Sequence, residues 1–119
     1  MANPNIVNVG TIYGNSYGVY LSTTVNTAIV SNPSGSGSIY KINSVTAANI
    51  NTTASSIYMF HNRGVVNTHI AYNIVVAANS TQVVMGKDTT IYLLENDNLY
   101  VYPSAANYLQ VMASWEQIS

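Results

Sequence analysis

The chain has 119 residues, no cysteine and a net charge of −1, and only 6% of its residues are charged, against about 25% in an average soluble domain. That length points to one domain. The composition excludes a disulfide framework, a thiolate metal site and any basic patch able to neutralise several phosphates, so no nucleic-acid partner is expected. No apolar run approaches the ~18 residues of a membrane span, and Met1–Asn5 lacks the basic and apolar regions of a secretory signal; neither membrane insertion nor export by that route is expected.

Taken in chain order, the pattern is β throughout. Residues 1–16, with Pro4, Gly10, Gly14 and several Asn, read as an N-terminal arm. Tyr17, Val19 and Leu21 open a first strand, and Val25 to Val30 a second. Asn32-Pro33-Ser34-Gly35-Ser36-Gly37-Ser38 has the composition of a flexible loop. Strands are then predicted near 39–50, 56–61, 65–76, 81–86, 89–94, 98–102 and 108–117, where Val, Ile, Thr and Tyr dominate. Helical spacing of apolar residues is missing. Short strands between turn clusters predict an all-β fold: a single antiparallel β-sandwich over 17–119, jelly-roll-like, with the arm at 1–16.

Two hairpins follow from alternation. A turn at Glu95-Asn96-Asp97 would set Leu93 opposite Leu99 and Ile91 opposite Val101 on a core face, with Tyr92 beside Tyr100 and Thr90 beside Tyr102 outside. A turn at Asn62-Arg63-Gly64 would pair His61 with Val65. Ile57, Met59, His61, Val65, Asn67 and His69 would then share one face, and Tyr58, Phe60, Val66, Thr68 and Ile70 the other. Both faces are apolar, and alternation does not decide which is the core. In the last strand Leu109, Val111, Ala113 and Trp115 alternate with Tyr108, Gln110, Met112, Ser114 and Glu116.

Catalytic patterns are missing. The titratable candidates are His61, His69, Asp88, Glu95, Asp97 and Glu116. The predicted register sets the two His roughly 13 Å apart along the strands, too far to share a metal. Asp97 is expected to bond backbone N–H groups in its turn, Glu95 to be solvated, and Lys87-Asp88 to be a connecting turn. There is no Gly-x-Ser-x-Gly elbow and no phosphate-loop fingerprint. The sequons at Asn51-Thr52-Thr53 and Asn79-Ser80-Thr81 are accidents of an Asn- and Thr-rich chain. No enzyme activity, cofactor or metal is expected. An outward tyrosine-rich surface suits a protein interface, since Tyr brings large area at little rotamer cost. It also suits sugar stacking, or simply an exposed sheet face.

The opening Met1-Ala2-Asn3-Pro4-Asn5-Ile6-Val7-Asn8-Val9, the stretch Lys87 to Asp97 and the ending Ser114-Trp115-Glu116-Gln117-Ile118-Ser119 resemble small virion proteins of cyanophages and similar tailed phages. Asn96 stands where that family has Gly. The resemblance implies a structural β-sandwich protein of the virion, with no catalytic residue to carry over. The expectation is a capsid decoration or cement protein, a homotrimer contacting copies of itself and other virion proteins such as the major capsid protein. Neck, tail, baseplate or fibre components, or a receptor- or glycan-binding module, are the alternatives. Contacts are expected through Ile6, Val7 and Tyr13 of the arm and through Tyr58, Phe60, Tyr92, Tyr100, Tyr102 and Tyr108.

Overall fold

A computed structural model describes residues 10–119. The strands are β1 (Ile12–Tyr20), β2 (Thr27–Ser31), β3 (Ile39–Asn49), β4 (Ser55–Arg63), β5 (Val66–Val76), β6 (Thr81–Met85), β7 (Ile91–Leu93), β8 (Asp97–Pro103) and β9 (Leu109–Ile118). A single 3-10 turn, Lys87–Thr89, separates β6 from β7. All strand pairings are antiparallel, and they form two sheets. Sheet one has the order β1-β9-β3-β6, with β7 also on β3; sheet two has the order β2-β8-β4-β5.

The topology is that of one long hairpin rolled up. The chain folds back at the β4–β5 turn, so β4 pairs β5, β3 pairs β6 and β7, β2 pairs β8, and β1 pairs β9. The rolled pairs divide between two facing sheets, which makes the expected antiparallel sandwich a jelly roll. Residues 12–16, assigned from sequence to the arm, lie in β1, and the ladder extends back to Gly10 and Thr11, whose N–H groups bond the Ser119 carbonyl at 2.8 and 3.0 Å.

The core is the apolar alternate set of each strand. Ile42, Val45 and Ala47 of β3 and Leu109, Val111 and Ala113 of β9 meet Ile57 and Met59 of β4 and Leu99 and Val101 of β8, with Leu21, Met85 and Leu93 closing the ends. Burying each such aliphatic side chain is worth about 1.5–3 kcal/mol, and the burial alternates with period 2 along β8 and the first half of β9.

Both expected hairpins need correction. The turn at Glu95-Asn96-Asp97 does not join paired strands but carries the chain from one sheet to the other. β7 pairs β3, with Tyr40 opposite Leu93 and Ile42 opposite Ile91, whereas β8 lies between β2 and β4. Leu93, Leu99 and Val101 still share one core, because the two sheets face each other. Asn96 takes φ +72, the left-handed conformation that Gly adopts without cost and Asn tolerates through local hydrogen bonding.

The β4–β5 hairpin is real, but its register differs. His61 pairs Thr68 rather than Val65, leaving a two-residue loop, Gly64-Val65, between Arg63 and Val66. Gly64 has φ +62, as a loop with Gly at its first central position requires. The slip beside the turn is odd, from Val65 to Thr68, so Val66 to His69 change face relative to the expectation, while the bulges around Met59 return Ala71 to the face of Met59. His69 joins Tyr58 and Phe60, and Ile57 and Met59 take the core.

Candidate interaction surfaces

The outer face of sheet two is aromatic. Tyr58 stacks on Tyr102 with ring centroids 4.6 Å apart and planes 1° from parallel, and Phe60 stacks on Tyr100 at 5.3 Å. Cross-strand pairing of β4 with β8 makes these contacts, since Tyr58 lies opposite Tyr102 and Phe60 opposite Tyr100. β5 adds Tyr72, edge-on to Tyr58 at 5.0 Å, and His69, tilted against Phe60 at 5.3 Å. His69 Nε2 and Tyr102 Oη lie 3.2 Å apart, and Tyr58 Oη donates to Asn73 Oδ1 at 3.3 Å. The packed rings leave Phe60 only 4% exposed although it points outward, whereas Tyr72 is 67% exposed. Partial burial raises the Tyr102 pKa, and the neighbouring Tyr72 and Tyr58 hydroxyls add to the shift. Tyr58, Phe60, Tyr100 and Tyr102, expected on two separate hairpins with Tyr92 beside Tyr100, are thus brought together on one face. His69 was missed because the register error placed it on the opposite face, and Tyr72 because the hairpin was read only as far as Ile70.

Three other expected contact residues lie elsewhere. Tyr92 stands on sheet one opposite Lys41 and never meets Tyr100. Tyr108 is half-buried against the core. Tyr13 lies in β1, exposed, as are Ile12, Tyr17 and Tyr20. Ile6 and Val7 fall outside the described residues.

β1 is an edge strand. Its nine residues pair with β9 in unbroken register from Ile12–Ile118 to Tyr20–Gln110, and no strand among the described residues pairs with its other side. It contains no charged residue and no proline. At the far side of the sandwich, β5 is a second uncharged edge of eleven residues, interrupted by register shifts and by Asn73 at φ +56. β2 and β6 have five residues each.

Three of the seven charged residues, Arg63, Glu95 and Asp97, gather at one end of the sandwich. Asp97, 1% exposed, accepts from Arg63 Nη2 at 2.7 Å, from Arg63 Nε at 2.9 Å, from the Leu94 N–H at 2.8 Å, and lies 3.2 Å from His61 Nε2. Burial by itself would raise the Asp97 pKa; the hydrogen bonds from Arg63, Leu94 and His61 outweigh it and hold the carboxyl below its ordinary value. The hydrogen bond to Asp97 raises Arg63 in turn. Asp97 therefore bonds its turn N–H as expected but is also the anion of a buried cluster, which no local pattern announced. Glu95 is not merely solvated. Its carboxylate accepts the N–H groups of Gly35 and Gly37, both at 3.0 Å, and buried Asn32 donates to the Ser38 and Leu93 carbonyls at 2.9 Å each. The loop read as flexible is pinned by these bonds.

His61 and His69 project to opposite faces of sheet two, and no group of three or more His, Asp or Glu positioned to hold a metal occurs among the described residues.

No protein-family model and no curated protein sequence matches the chain. Among solved structures, a chain from a study of Bacillus endospore appendages, described there as a family of disulfide-linked pili, is similar in fold. It has a TM-score of 0.51 and 18% identity over 98% of this chain and 96% of that one. A chain of infectious bursal disease virus Gt strain aligns at a TM-score of 0.43 and 10% identity, over 92% of this chain and 31% of that one.

Proposed function

We infer that this chain is a non-enzymatic structural subunit that assembles with copies of itself, and that its assembly is a phage virion, in which it serves as a decoration protein of the head. The observation that carries the self-assembly is the open edge of β1. Natural sheets protect their edges with charge, proline, bulges or brevity. β1 has none of these, and a row of backbone donors and acceptors is left to a partner strand. β1 lies at one side of the sandwich and the long uncharged edge of β5 at the other. Pairing between copies therefore runs head to tail, and a head-to-tail contact closes into a ring or continues as a filament. The virion assignment rests on the sequence resemblance at Met1–Val9, Lys87–Asp97 and Ser114–Ser119.

A second reading, a fibre subunit, is favoured by the end-to-end likeness in fold to the appendage protein. The chain has no cysteine, so any such fibre would be held without disulfides.

Native mass spectrometry of the purified chain, followed by cryo-electron microscopy of the assemblies, tests both readings. A closed ring, with trimers the expected size, supports the decoration role; open series of increasing mass support the fibre. Replacing Asn15 and Tyr17 together by Lys places charge along β1 and is expected to yield monomers that retain the wild-type melting temperature. A wild-type chain that is monomeric at high concentration would remove the self-assembly reading. A map of the intact phage particle with this chain outside the head would remove the decoration role.

A further inference from the structure

The aromatic face of sheet two holds a depression of ≈ 200 Å³, lined by Phe60, His69 and Tyr102 with Asn26 and Asn67. Its apolar part is the ring of Tyr102, half-buried, above a Phe60 ring that Tyr100 and His69 at 5.3 Å and Tyr102 at 6.2 Å leave only 4% exposed. Its polar part is amide, imidazole and phenol. Asn62 Nδ2 donates to Asn67 Oδ1 at 2.7 Å, which orients that amide and leaves its NH2 group as a donor. His69 Nε2 and Tyr102 Oη engage each other at 3.2 Å, so one proton lies between them and each group keeps further capacity for a ligand hydroxyl. Neither Asp, Glu, Lys nor Arg lines the depression.

These features select a ligand. A site without charge disfavours phosphates, carboxylates and ammonium groups, which would lose hydration without gaining a counter-ion. A site with an aromatic wall and several hydroxyl-matching groups suits a neutral molecule that has one apolar face and a polar rim. A pyranose ring has that form: its axial C–H bonds make one face weakly positive and apolar, which the negative face of an aromatic ring attracts, while its equatorial hydroxyls reach the rim. The volume is below the ~300 Å³ at which drug-sized pockets begin, so it takes a single ring rather than an oligosaccharide.

We propose that this depression binds one neutral pyranose residue, free or terminal in a glycan, with Tyr102 against the ring and Asn67, Asn26 and His69 at its hydroxyls. Binding to one ring is weak, and repetition of the site over an assembly multiplies it through effective concentration. The inference does not depend on the assembly proposed above, since every residue belongs to one chain.

Saturation-transfer NMR on the full chain tests it, with the methyl glycosides of glucose, galactose, mannose and N-acetylglucosamine as probes and methyl glucuronoside as the acidic control. At least one neutral glycoside is expected to receive saturation, strongest at the C–H protons of one ring face, and the glucuronoside little. Asn67→Ala is expected to weaken binding about fivefold, the loss of one hydrogen bond, and Tyr102→Ala, which removes the ring, to abolish it, while Tyr92→Ala on the other sheet leaves it unchanged. Asn67 is exposed, so its replacement tests the site even if a change at Tyr102 disturbs the ring cluster. Silence from all four neutral probes, an equal signal from the glucuronoside, or binding unmoved by Asn67→Ala would overturn the proposal.

Discussion

Arg63 at the end of β4 and Asp97 at the start of β8 are cross-strand neighbours, and the guanidinium grips the carboxylate through Nε at 2.9 Å and Nη2 at 2.7 Å. The carboxylate is buried and the guanidinium half in water, so the two partners are not equivalent. Removing Arg63 leaves an anion buried with only the Leu94 N–H and His61 beside it. Arg63→Ala is expected to destabilise the fold by about 2–4 kcal/mol at pH 7, close to the cost of stripping a partner from a buried charge. Urea unfolding monitored by the fluorescence of Trp115 measures it; a loss below 0.5 kcal/mol, the scale of ordinary surface substitutions, would show that water screens the pair.

The same carboxyl sets an acid limit. Its folded pKa lies below its unfolded value of about 3.9, so the native state holds fewer protons than the unfolded one between the two values. The stability it contributes is fully present above the unfolded pKa and drains away as pH falls through the folded pKa. Thermal melts between pH 7 and pH 2.5 are expected to show a decline below about pH 4 that is shallower in Asp97→Asn. Equal declines in the two proteins would assign the acid sensitivity to other carboxylates.

At Asn96 the backbone angle decides what a substitution does. Asn96→Gly relieves a residue held at φ +72 and is expected to be neutral or slightly stabilising, whereas Asn96→Val adds a β-branched side chain where L-residues are disfavoured, at a cost of about 1–2 kcal/mol. Gly64→Ala at φ +62 is expected to cost a similar amount. Melting temperatures of the three variants rank them, and a Val variant as stable as wild type would mean that the turn can change conformation.

The Tyr58–Tyr102 stack should register as a coupling. A double-mutant cycle with Leu at each position, read by chemical denaturation, is expected to give about 0.5–1.5 kcal/mol beyond the single losses. A coupling of zero would mean that the rings contribute only area.

Buried Asn32 ties the loop to β7 of sheet one through its two donated hydrogen bonds. Asn32→Leu leaves the Ser38 and Leu93 carbonyls without that donor and is expected to cost about 1–3 kcal/mol. Hydrogen exchange at Gly35 and Gly37 should speed up in parallel. Unchanged exchange there would mean that Glu95 holds the loop unaided.

Local alternation fixed a great deal. Of the faces read as apolar from period 2 alone, Leu93, Leu99, Val101, Leu109, Val111 and Ala113 are buried and Ile91 and Trp115 half-buried, because a strand's two faces are set by its own backbone whatever it pairs with. Alternation likewise put Tyr100 with Tyr102 outside and Tyr58 with Phe60 on one face of their strand, but it decided neither whether the second face is outward nor that the two pairs meet. Which strands pair was not. The rolled topology places β8 between β2 and β4 and sends β7 to β3, and such long-range choices depend on how the whole core closes rather than on the residues between neighbouring strands. A slip of three residues in the β4–β5 hairpin moved His69 onto the aromatic face, since an odd slip exchanges faces while leaving the local pattern equally plausible. Asp97 shows the same limit: its sequence neighbours announced a turn, and only the approach of Arg63 and His61 from another strand made it a buried anion. The amino-acid order thus determined which side of each strand is apolar, and the folded chain alone determined which strands, and therefore which side chains, stand together.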